Sequence, residues 1–255
     1  MSTLATASLA PFMRWAEGHD VAFSSIDEIL AEAASGRAVI MLDAADRENQ
    51  GDMIIPAQFA DAAAINFMAT HARGLVCLAI TSGKARELRL AMQPGVIGVD
   101  RLRSAFTVSV EARTGVETGI SAFDRARTIA VAVAPDSSSE DLVSPGHVFP
   151  LVAHDDGVLG RDGHTEAAVD IARLAGLNPA AVLCEILDDS GSVAGTESLI
   201  EFAKREGIKI GRIEDLIAFR QREFRFSDNH QVYSQSFWGA GADIDLDRIE
   251  GASRA

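Results

Sequence analysis

Short apolar runs that alternate with amphipathic segments are the feature of this chain that most limits its fold. Residues 37–42 (RAVIML), 75–80 (LVCLAI) and 181–186 (AVLCEI) are near-continuous apolar runs of strand length. Such runs are typical of strands that are covered on both faces. Segments with apolar residues at helical spacing lie between them. Helices and strands that alternate in this way predict one α/β-type domain of about 200 residues.

The helical segments have recognisable start and stop residues. Ser25 and Glu28 have the spacing of a capping box, and Gly36 follows as a stop signal. A second helix begins near Thr165 and is closed by Gly176. Further helices are predicted at 61–72, 121–134, 197–206 and 213–221, further strands at 106–110, 148–152 and 208–210, and a loop at 135–145.

Three regions follow from this pattern. Residues 24–221 form the expected folded domain, preceded by an N-terminal extension over residues 1–23. The tail, residues 222–255, loses all periodicity and is either partly ordered or disordered. Its aromatic residues suggest that some of it docks on the domain.

Charge and composition exclude several classes of function. The 255 residues include 37 Asp and Glu against 23 Lys and Arg, for a net charge of -14, which disfavours binding to nucleic acid or to an anionic membrane. The first residues lack a secretory signal, and no apolar run approaches the roughly 20 residues of a membrane span. Only two cysteines occur, so we expect no disulfide framework and a cytoplasmic protein.

The stretch DAADRENQGD, residues 43–52, directly follows a predicted strand and concentrates like charge. Clustered charge in a loop is often only a solvated face. However, Asp43 and Asp46 are three apart, Glu48 and Asp52 are four apart, and Gly51 permits a tight backbone, so several oxygens can converge. Oxygen ligands suit a hard divalent cation such as Mg²⁺.

A second cluster, RDGHTE at residues 161–166, lies immediately before a predicted helix. Backbone N–H groups at a helix start bind phosphate, and Arg161 and Thr165 would add a guanidinium and a hydroxyl donor. The alternative is an ordinary N-cap formed by Thr165 or His164. His164 is also a candidate metal ligand.

Two further polar residues stand in apolar surroundings. His147, in PGHVFP, is either a hydrogen-bonded structural residue or an acid or base. Glu185 lies inside the apolar strand AVLCEIL, where a carboxylate needs a cation or donors, so it is either half of a buried salt bridge or catalytic. Cys77 and Cys184 lie in apolar runs and are assigned to the core.

Taken together, the motifs DRENQGD, HARGLVCLAI, AFTVSVEARTGVETGISAFDRARTI, SPGHVFPL, GVLGRDGHTEAAVDIARLAG and PAAVLCEI resemble the 3,4-dihydroxy-2-butanone 4-phosphate synthase family of riboflavin biosynthesis. The resemblance covers residues 24–221. It implies an α+β fold, a single domain with a mixed β-sheet layered between helices in an α/β/α sandwich. It also implies a homodimer with active sites at the subunit interface and one or two Mg²⁺ (or Mn²⁺) ions per site. The implied activity is that of a lyase that converts D-ribulose 5-phosphate to 3,4-dihydroxy-2-butanone 4-phosphate and formate.

The resemblance assigns roles to individual positions. The metal-binding positions are Glu48 and His164. The substrate-binding positions are Arg47, Glu48, Asp52, Arg161, Asp162, Gly163, His164, Thr165 and Glu185. The candidate catalytic residues are His147, Glu185, Asp43 and Asp52. These types suit the reaction, because enediol formation and formate loss need acids, bases and a Lewis acid in one closed site.

The chain also departs from the family pattern. Ala44 and Ala45 replace acidic residues, Gln50 stands where a Glu is usual, and Glu117 stands in a loop expected near the substrate. Gln50 cannot take a proton, so a base role at that position is lost. We therefore carry three interpretations: an active synthase, a divergent enzyme of specialised metabolism that performs a partial or altered version of this chemistry, and a non-catalytic paralogue that binds a sugar phosphate.

Overall fold

The computed structural model describes residues 23–94 and 104–222. Almost all of the predicted N-terminal extension and tail lies outside these residues, so the expected domain boundaries stay predictions. By its internal contacts the chain divides into two compact units, Met1–Ala218 and Phe219–Ala255. All the strands and all the candidate site residues belong to the first unit. In the second, the structure describes only residues 219–222, which are helical.

Helices and strands alternate through the described residues, as the sequence predicts. The helices are α1 (Ile26–Ala34), α2 (Ala62–Phe67), α3 (Ser82–Glu87), α4 (Ala122–Val133), α5 (His164–Leu174) and α6 (Thr196–Glu206), and the strands are β1 (Val39–Leu42), β2 (Gly51–Pro56), β3 (Cys77–Ile80), β4 (Val110–Ala112), β5 (Leu142–Val152), β6 (Ala181–Glu185) and β7 (Lys209–Arg212). A final helix covers residues 213–222. No helix in this part of the chain is both long enough and apolar enough to span a bilayer.

Local signals explain where α1 begins and ends. The Ser25 hydroxyl accepts a hydrogen bond from the Glu28 N–H at 3.4 Å, and the Glu28 carboxylate accepts one from the Ser25 N–H at 3.0 Å. This reciprocal pair is the predicted capping box. Gly36 follows with φ +74°, and a Cβ there would lie 3.0 Å from the Phe59 ring. The left-handed conformation and the close ring both favour glycine as the stop residue.

The strands form one mixed sheet of seven members in the described part of the chain, in the order β4-β5-β3-β6-β2-β1-β7. Strand β1 runs antiparallel to β2 and parallel to β7, while β3 runs parallel to β5 and antiparallel to β6. The alternation of helices and strands alone would have suggested an α/β-type domain, typically with a parallel sheet. The mixed sheet instead confirms the α+β fold that the family resemblance implies.

Helices cover both faces of this sheet. On one face, Ile40 and Leu42 of β1 belong to a large apolar cluster that includes residues of α2, α4 and α6. On the other face, α1 and α5 pack against the strands, and Ile29 of α1 and Met41 of β1 both approach Gly211 of β7. Successive side chains of a strand point to opposite faces, which is why an apolar run such as residues 39–42 is buried throughout.

Three element predictions need correction. The predicted loop at 135–145 is partly strand, because β5 already begins at Leu142, where it pairs with β4. The predicted strand at 106–110 is regular only from Val110 onward; Phe106 and Thr107 make isolated bridges. The predicted helix at 61–72 is α-helical to Phe67 and then continues as a π-helix to Ala72.

Candidate active site

A polar cleft opens on the face of the sheet that α5 covers, beside the first turn of that helix. Its charged and ionisable lining consists of Arg47, Glu48, Asp52, Arg161, His164 and Glu185. The loop between β1 and β2 supplies the first two, strands β2 and β6 supply the two remaining carboxylates, and α5 with its preceding turn supplies the others. The structure therefore brings together the acidic loop, the RDGHTE cluster and Glu185.

Asp43 organises the acidic loop. Its side chain is fully buried, and its carboxylate accepts hydrogen bonds from the Gln50 N–H at 2.8 Å, the Glu48 N–H at 3.2 Å and Arg47 Nη1 at 2.7 Å. Three donors on one carboxylate fix the loop in a tight turn over the strand end. By contrast, Asp46 is exposed at the tip of the loop, which is the solvated face that clustered charge often forms.

Asp52 and Glu185 lie directly opposite one another on antiparallel β2 and β6. Asp52 is buried, and its Oδ1 accepts no hydrogen bond from any described residue. Burial raises the pKa of the Asp52 carboxyl to about 6, the nearby His164 opposes that rise, and the charge of Glu185 adds to it. A buried carboxyl group that has an unsatisfied oxygen and a pKa close to neutral can bind either a cation or a proton.

Among the residues that the structure describes, Glu185 is held by a backbone N–H and makes no salt bridge. Its Oε2 accepts a hydrogen bond from the Leu75 N–H at 2.9 Å. A Cβ on Gly74 would lie 2.3 Å from the Glu185 carbonyl oxygen and 2.8 Å from Oε2. Only glycine at position 74 allows the chain to pass this close, so the backbone before β3 shapes the carboxylate's position.

His164 places an imidazole beside the acidic loop. Ligand atoms of Asp43, Glu48 and His164 all lie within 4.8 Å of one another. His164 Nε2 also lies 3.2 Å from the Gln50 carbonyl oxygen and 4.0 Å from Asp52 Oδ1. Carboxylate and imidazole atoms this close can share one divalent cation.

The start of α5 provides the second half of the cleft. Gly163 is its N-cap and has no side-chain cap, so the first N–H groups of the helix lack that partner. Thr165 is buried and lines the cleft. Arg161 Nη1 lies 2.6 Å from Glu166 Oε2, and Glu166 is itself buried. A hydroxyl, a guanidinium and a helix start therefore line one cleft, and such groups can bind an anion.

Gln50 contacts a candidate metal ligand directly. Its Nε2 donates to Glu48 Oε2 in a short hydrogen bond, and Gln50 lines the cleft. A glutamate here would place a second carboxylate against Glu48. Ala44 and Ala45, the other departures in the loop, are absent from the cleft lining.

His147 stands apart from the cleft lining. It lies on β5, its Nδ1 is 2.7 Å from Glu111 Oε1, and its side chain is 43% exposed. Glu117, the remaining departure, is exposed in the neighbouring loop, where its N–H donates to Asp124 Oδ1 at 3.2 Å. Within the described residues of one chain, His147 and the cleft are thus two separate polar centres.

Asp162 lies at the rim of the cleft, with its Oδ1 3.8 Å from Arg47 Nε.

Sequence reasoning missed three buried or half-buried carboxylates that support the site. Glu166 holds Arg161, Asp124 ties down the loop at 117–119, and Glu111 meets His147. A carboxylate at the start of an otherwise apolar helix, such as Glu166, is a usable signal. Glu111 gave no such sequence signal, because His147, which it contacts, lies on a different strand.

Comparisons with known proteins agree on one family. The profile of the 3,4-dihydroxy-2-butanone 4-phosphate synthase family matches residues 8–219. The chain is 50% identical over 217 residues to the 3,4-dihydroxy-2-butanone 4-phosphate synthase of Neisseria meningitidis serogroup A, and 48% identical over 200 residues to that of Pseudomonas aeruginosa. These matches cover 85% and 78% of this chain but 60% and 54% of the relatives, so the chain spans less than two thirds of their length.

Solved structures give the same result. A crystal structure of 3,4-dihydroxy-2-butanone 4-phosphate synthase in complex with two magnesium ions superposes with a TM-score of 0.75 and 37% identity, and the match covers 78% of this chain and 98% of that one. A two-domain synthase from A. baumannii superposes with a TM-score of 0.74 and 46% identity, covering 77% of this chain and 58% of the other.

Proposed function

Because this chain belongs to the 3,4-dihydroxy-2-butanone 4-phosphate synthase family, we propose that it is a lyase that converts D-ribulose 5-phosphate to 3,4-dihydroxy-2-butanone 4-phosphate and formate. The observation that carries the proposal is the meeting of Glu48, from the loop after β1, with His164, from the start of α5. Residues distant in sequence supply a cation site and an anion site to one cleft, as a phosphorylated polyhydroxy ketone requires.

We assign the phosphate end of the substrate to the start of α5. The cleft places Arg161 and Thr165 beside the first N–H groups of the helix. Because Glu166 already holds the guanidinium, Arg161 is positioned before the substrate arrives, which lowers the entropy cost of binding. Gly163 belongs to the same turn: a Cβ there would lie 2.2 Å from Arg161 Nη1 and so displace it.

The other end of the cleft fits a divalent cation. Glu48 and His164 would hold it, with Asp43 within reach and the unpaired Asp52 Oδ1 facing the same space. We propose one or two Mg²⁺ ions per site, which Mn²⁺ can replace, since these cations accept the same oxygen and imidazole donors. A bound Mg²⁺ supplies Lewis-acid polarisation of substrate oxygens and lowers the cost of the crowded carboxylates.

The chain's own residues then handle protons. In the metal-free protein, burial raises the pKa of the Asp52 carboxyl to about 6, so this buried group can take up and return a proton near neutral pH. Glu185, opposite it, is fixed by the Leu75 N–H and lines the same cleft. Arg47, anchored on Asp43, contributes a fixed positive charge beside the anionic substrate. Enediol formation, dehydration and formate loss each move protons, so more than one such group is needed.

We propose that the active unit is a homodimer whose two sites lie at the subunit interface. His147 is a family turnover position, yet it lies outside the cleft of its own chain. On the neighbouring loop and helix, Phe123 is 77% exposed and Ile120 is 54% exposed. Exposed apolar side chains beside a solvent-facing imidazole favour contact with a second copy, which would carry His147 toward the partner's cleft.

The buried thiols of Cys77 and Cys184 suit the reducing cytoplasm, where we place the reaction.

Formate release tests the reaction. Purified protein with Mg²⁺ and D-ribulose 5-phosphate should release one formate per substrate consumed, followed by a coupled formate dehydrogenase assay. Glu48→Gln is the matched inactive control, because it keeps the side chain's shape and removes the charge. If substrate is consumed without formate release, the result favours the divergent enzyme. If the protein binds the sugar phosphate but neither consumes it nor releases formate, the result favours the non-catalytic paralogue.

A further inference from the structure

We propose that Glu111 is the positioning residue for His147: its carboxylate holds the imidazole by Nδ1–H and leaves Nε2 as the atom that exchanges protons. This rests on the proposed function, in which His147 takes part in turnover. The two side chains come from neighbouring strands, β4 and β5, and His147 Nδ1 lies 2.7 Å from Glu111 Oε1.

The chemistry of the pair fixes which nitrogen carries hydrogen. An ionised carboxylate only accepts hydrogen bonds, so the ring atom that faces it must donate. Neutral His147 is then the Nδ1–H tautomer, with its lone pair on Nε2. The Glu111 side chain is 18% exposed and that of His147 is 43% exposed, so the carboxylate is the more buried member of the pair and the imidazole keeps access to solvent.

The contact lies where the register between β4 and β5 shifts. Val110 pairs with Val148, but the next residue, Glu111, pairs with Val143, so residues 144–147 form extra length on β5. Gly146 lies in that extra length, and a Cβ there would be 2.1 Å from the Val110 carbonyl oxygen. The glycine lets the bulged strand pass close to β4, and His147, which regular pairing after Val110–Val148 would set opposite Glu111, stays beside it.

A loop then covers the carboxylate. Buried Asp124 accepts hydrogen bonds from the Gly119 N–H at 2.9 Å and the Glu117 N–H at 3.2 Å. Gly119 has φ +82°, and a Cβ there would lie 1.1 Å from Glu111 Oε1 and 2.7 Å from His147 Nδ1. The loop is thus tied down by Asp124 and closes over the Glu111–His147 hydrogen bond at Gly119, which has no side chain.

Two substitutions disturb the pair by different routes. Glu111→Gln keeps the shape but offers an amide whose N–H₂ can face Nδ1, which removes the preference for one tautomer. Gly119→Ala inserts a methyl group at the position of Oε1 and pushes the carboxylate away. Gly191→Ala is the matched control, because Gly191 also has a positive φ, +85°, but nothing lies within 4 Å of its Cβ position.

The expected result is a kinetic and a spectroscopic change together. In Glu111→Gln and Gly119→Ala, kcat should fall about 10- to 100-fold while KM changes by less than about twofold. Two-bond ¹H–¹⁵N correlation spectra of histidine-labelled protein, assigned by subtraction of His147→Asn, should show the Nδ1–H tautomer in wild type and its loss in both variants. Gly191→Ala should match wild type in both measurements.

Each contrary outcome has one meaning. Wild-type kcat in Glu111→Gln, alongside an inactive His147→Asn, would overturn the role of Glu111 and leave the proposed function standing. An Nε2–H tautomer in wild type would overturn it as well. If His147→Asn is fully active, the role of His147 in the proposed function fails, and this inference fails with it. If wild type releases no formate, the reaction is rejected, and the tautomer measurement still decides whether Glu111 orients His147.

Discussion

Asp52 on β2 lies directly opposite Glu185 on β6, so two carboxylates face one cleft from adjacent antiparallel strands. Like charges directly opposite on a sheet are unfavourable, and burial adds to the cost. The Asp52–Glu185 pair therefore lowers the stability of the folded sheet, while it supplies two carboxylates to the cleft.

The first prediction concerns this cost. The pKa of Asp52 is raised from 3.8 to about 6, chiefly by burial, so the folded protein holds this proton more tightly than the unfolded chain. The contribution of this bound proton to the free energy of unfolding is complete below about pH 4 and is lost as the pH rises through about 6. Metal-free Asp52→Asn should therefore be more stable than wild type by roughly 1–3 kcal/mol at pH 8, with little difference at pH 4.

Urea unfolding in EDTA at the two pH values measures this difference. Asp46→Asn, an exposed change in the loop that precedes β2, should leave stability unchanged and controls for the loss of one negative charge. A variant less stable than wild type at pH 8 would contradict the prediction.

The second prediction concerns Gln50. The Gln50 side-chain N–H₂ donates to Glu48, and Gln50→Glu replaces this donor with a second negative charge. The variant should therefore destabilise the metal-free protein and strengthen Mg²⁺ binding by about 3- to 10-fold. Calorimetric titration with Mg²⁺ and thermal unfolding in EDTA measure the two effects. Gln58→Glu, which makes the same charge change at an exposed position outside the cleft lining, should alter neither. Unchanged Mg²⁺ affinity in Gln50→Glu would show that the position does not reach the cation.

The third prediction concerns the anion site. Arg161→Ala should weaken binding of D-ribulose 5-phosphate by about 10- to 100-fold, because a charge-assisted contact to phosphate is lost, while Mg²⁺ affinity changes by less than about twofold. Arg173→Ala is the matched control at the other end of α5, where Arg173 pairs with Asp170 at 3.2 Å. Equal losses of substrate and metal affinity in Arg161→Ala would mean that the residue supports the whole cleft instead.

The fourth prediction tests the shared site. Glu48→Gln and His147→Asn homodimers should each be inactive, but subunits mixed by co-expression should recover about one quarter of the wild-type activity. Random pairing makes half of the dimers mixed, and one of the two sites in each mixed dimer combines an intact cleft with an intact histidine, so about one quarter of all sites is active. Sedimentation analysis should show that both parent variants dimerise. No recovery in mixed dimers would place His147 and Glu48 in the same subunit's site.

Local signals account for the elements that the sequence predicted well. The capping box at Ser25 and the stop at Gly36 involve residues a few positions apart, so the sequence displays the whole interaction. The start of β5 was missed because its partner β4 lies elsewhere in the chain and pairs through a bulge. Pairing of this kind depends on the assembled sheet and leaves no periodic pattern in residues 135–145.

The same distinction holds for the site. The acidic loop and the turn before α5 could be recognised because each packs several functional groups into a few residues. That Glu48 and His164 share one cleft came from the family resemblance and not from spacing, since the fold alone joins them. Glu111 could not be assigned from sequence, because the histidine that it holds lies on another strand, whereas Glu166 has a usable signal in its position at the start of an apolar helix.

Helix α5 is buried at every position from His164 to Ala172. Its first turn carries both the imidazole and the amide groups assigned to the substrate, so these groups cannot be moved without disturbing the packing of the domain interior. We therefore expect changes of substrate preference in this protein to arise in the surrounding loops, which can be rebuilt while the helix stays as it is.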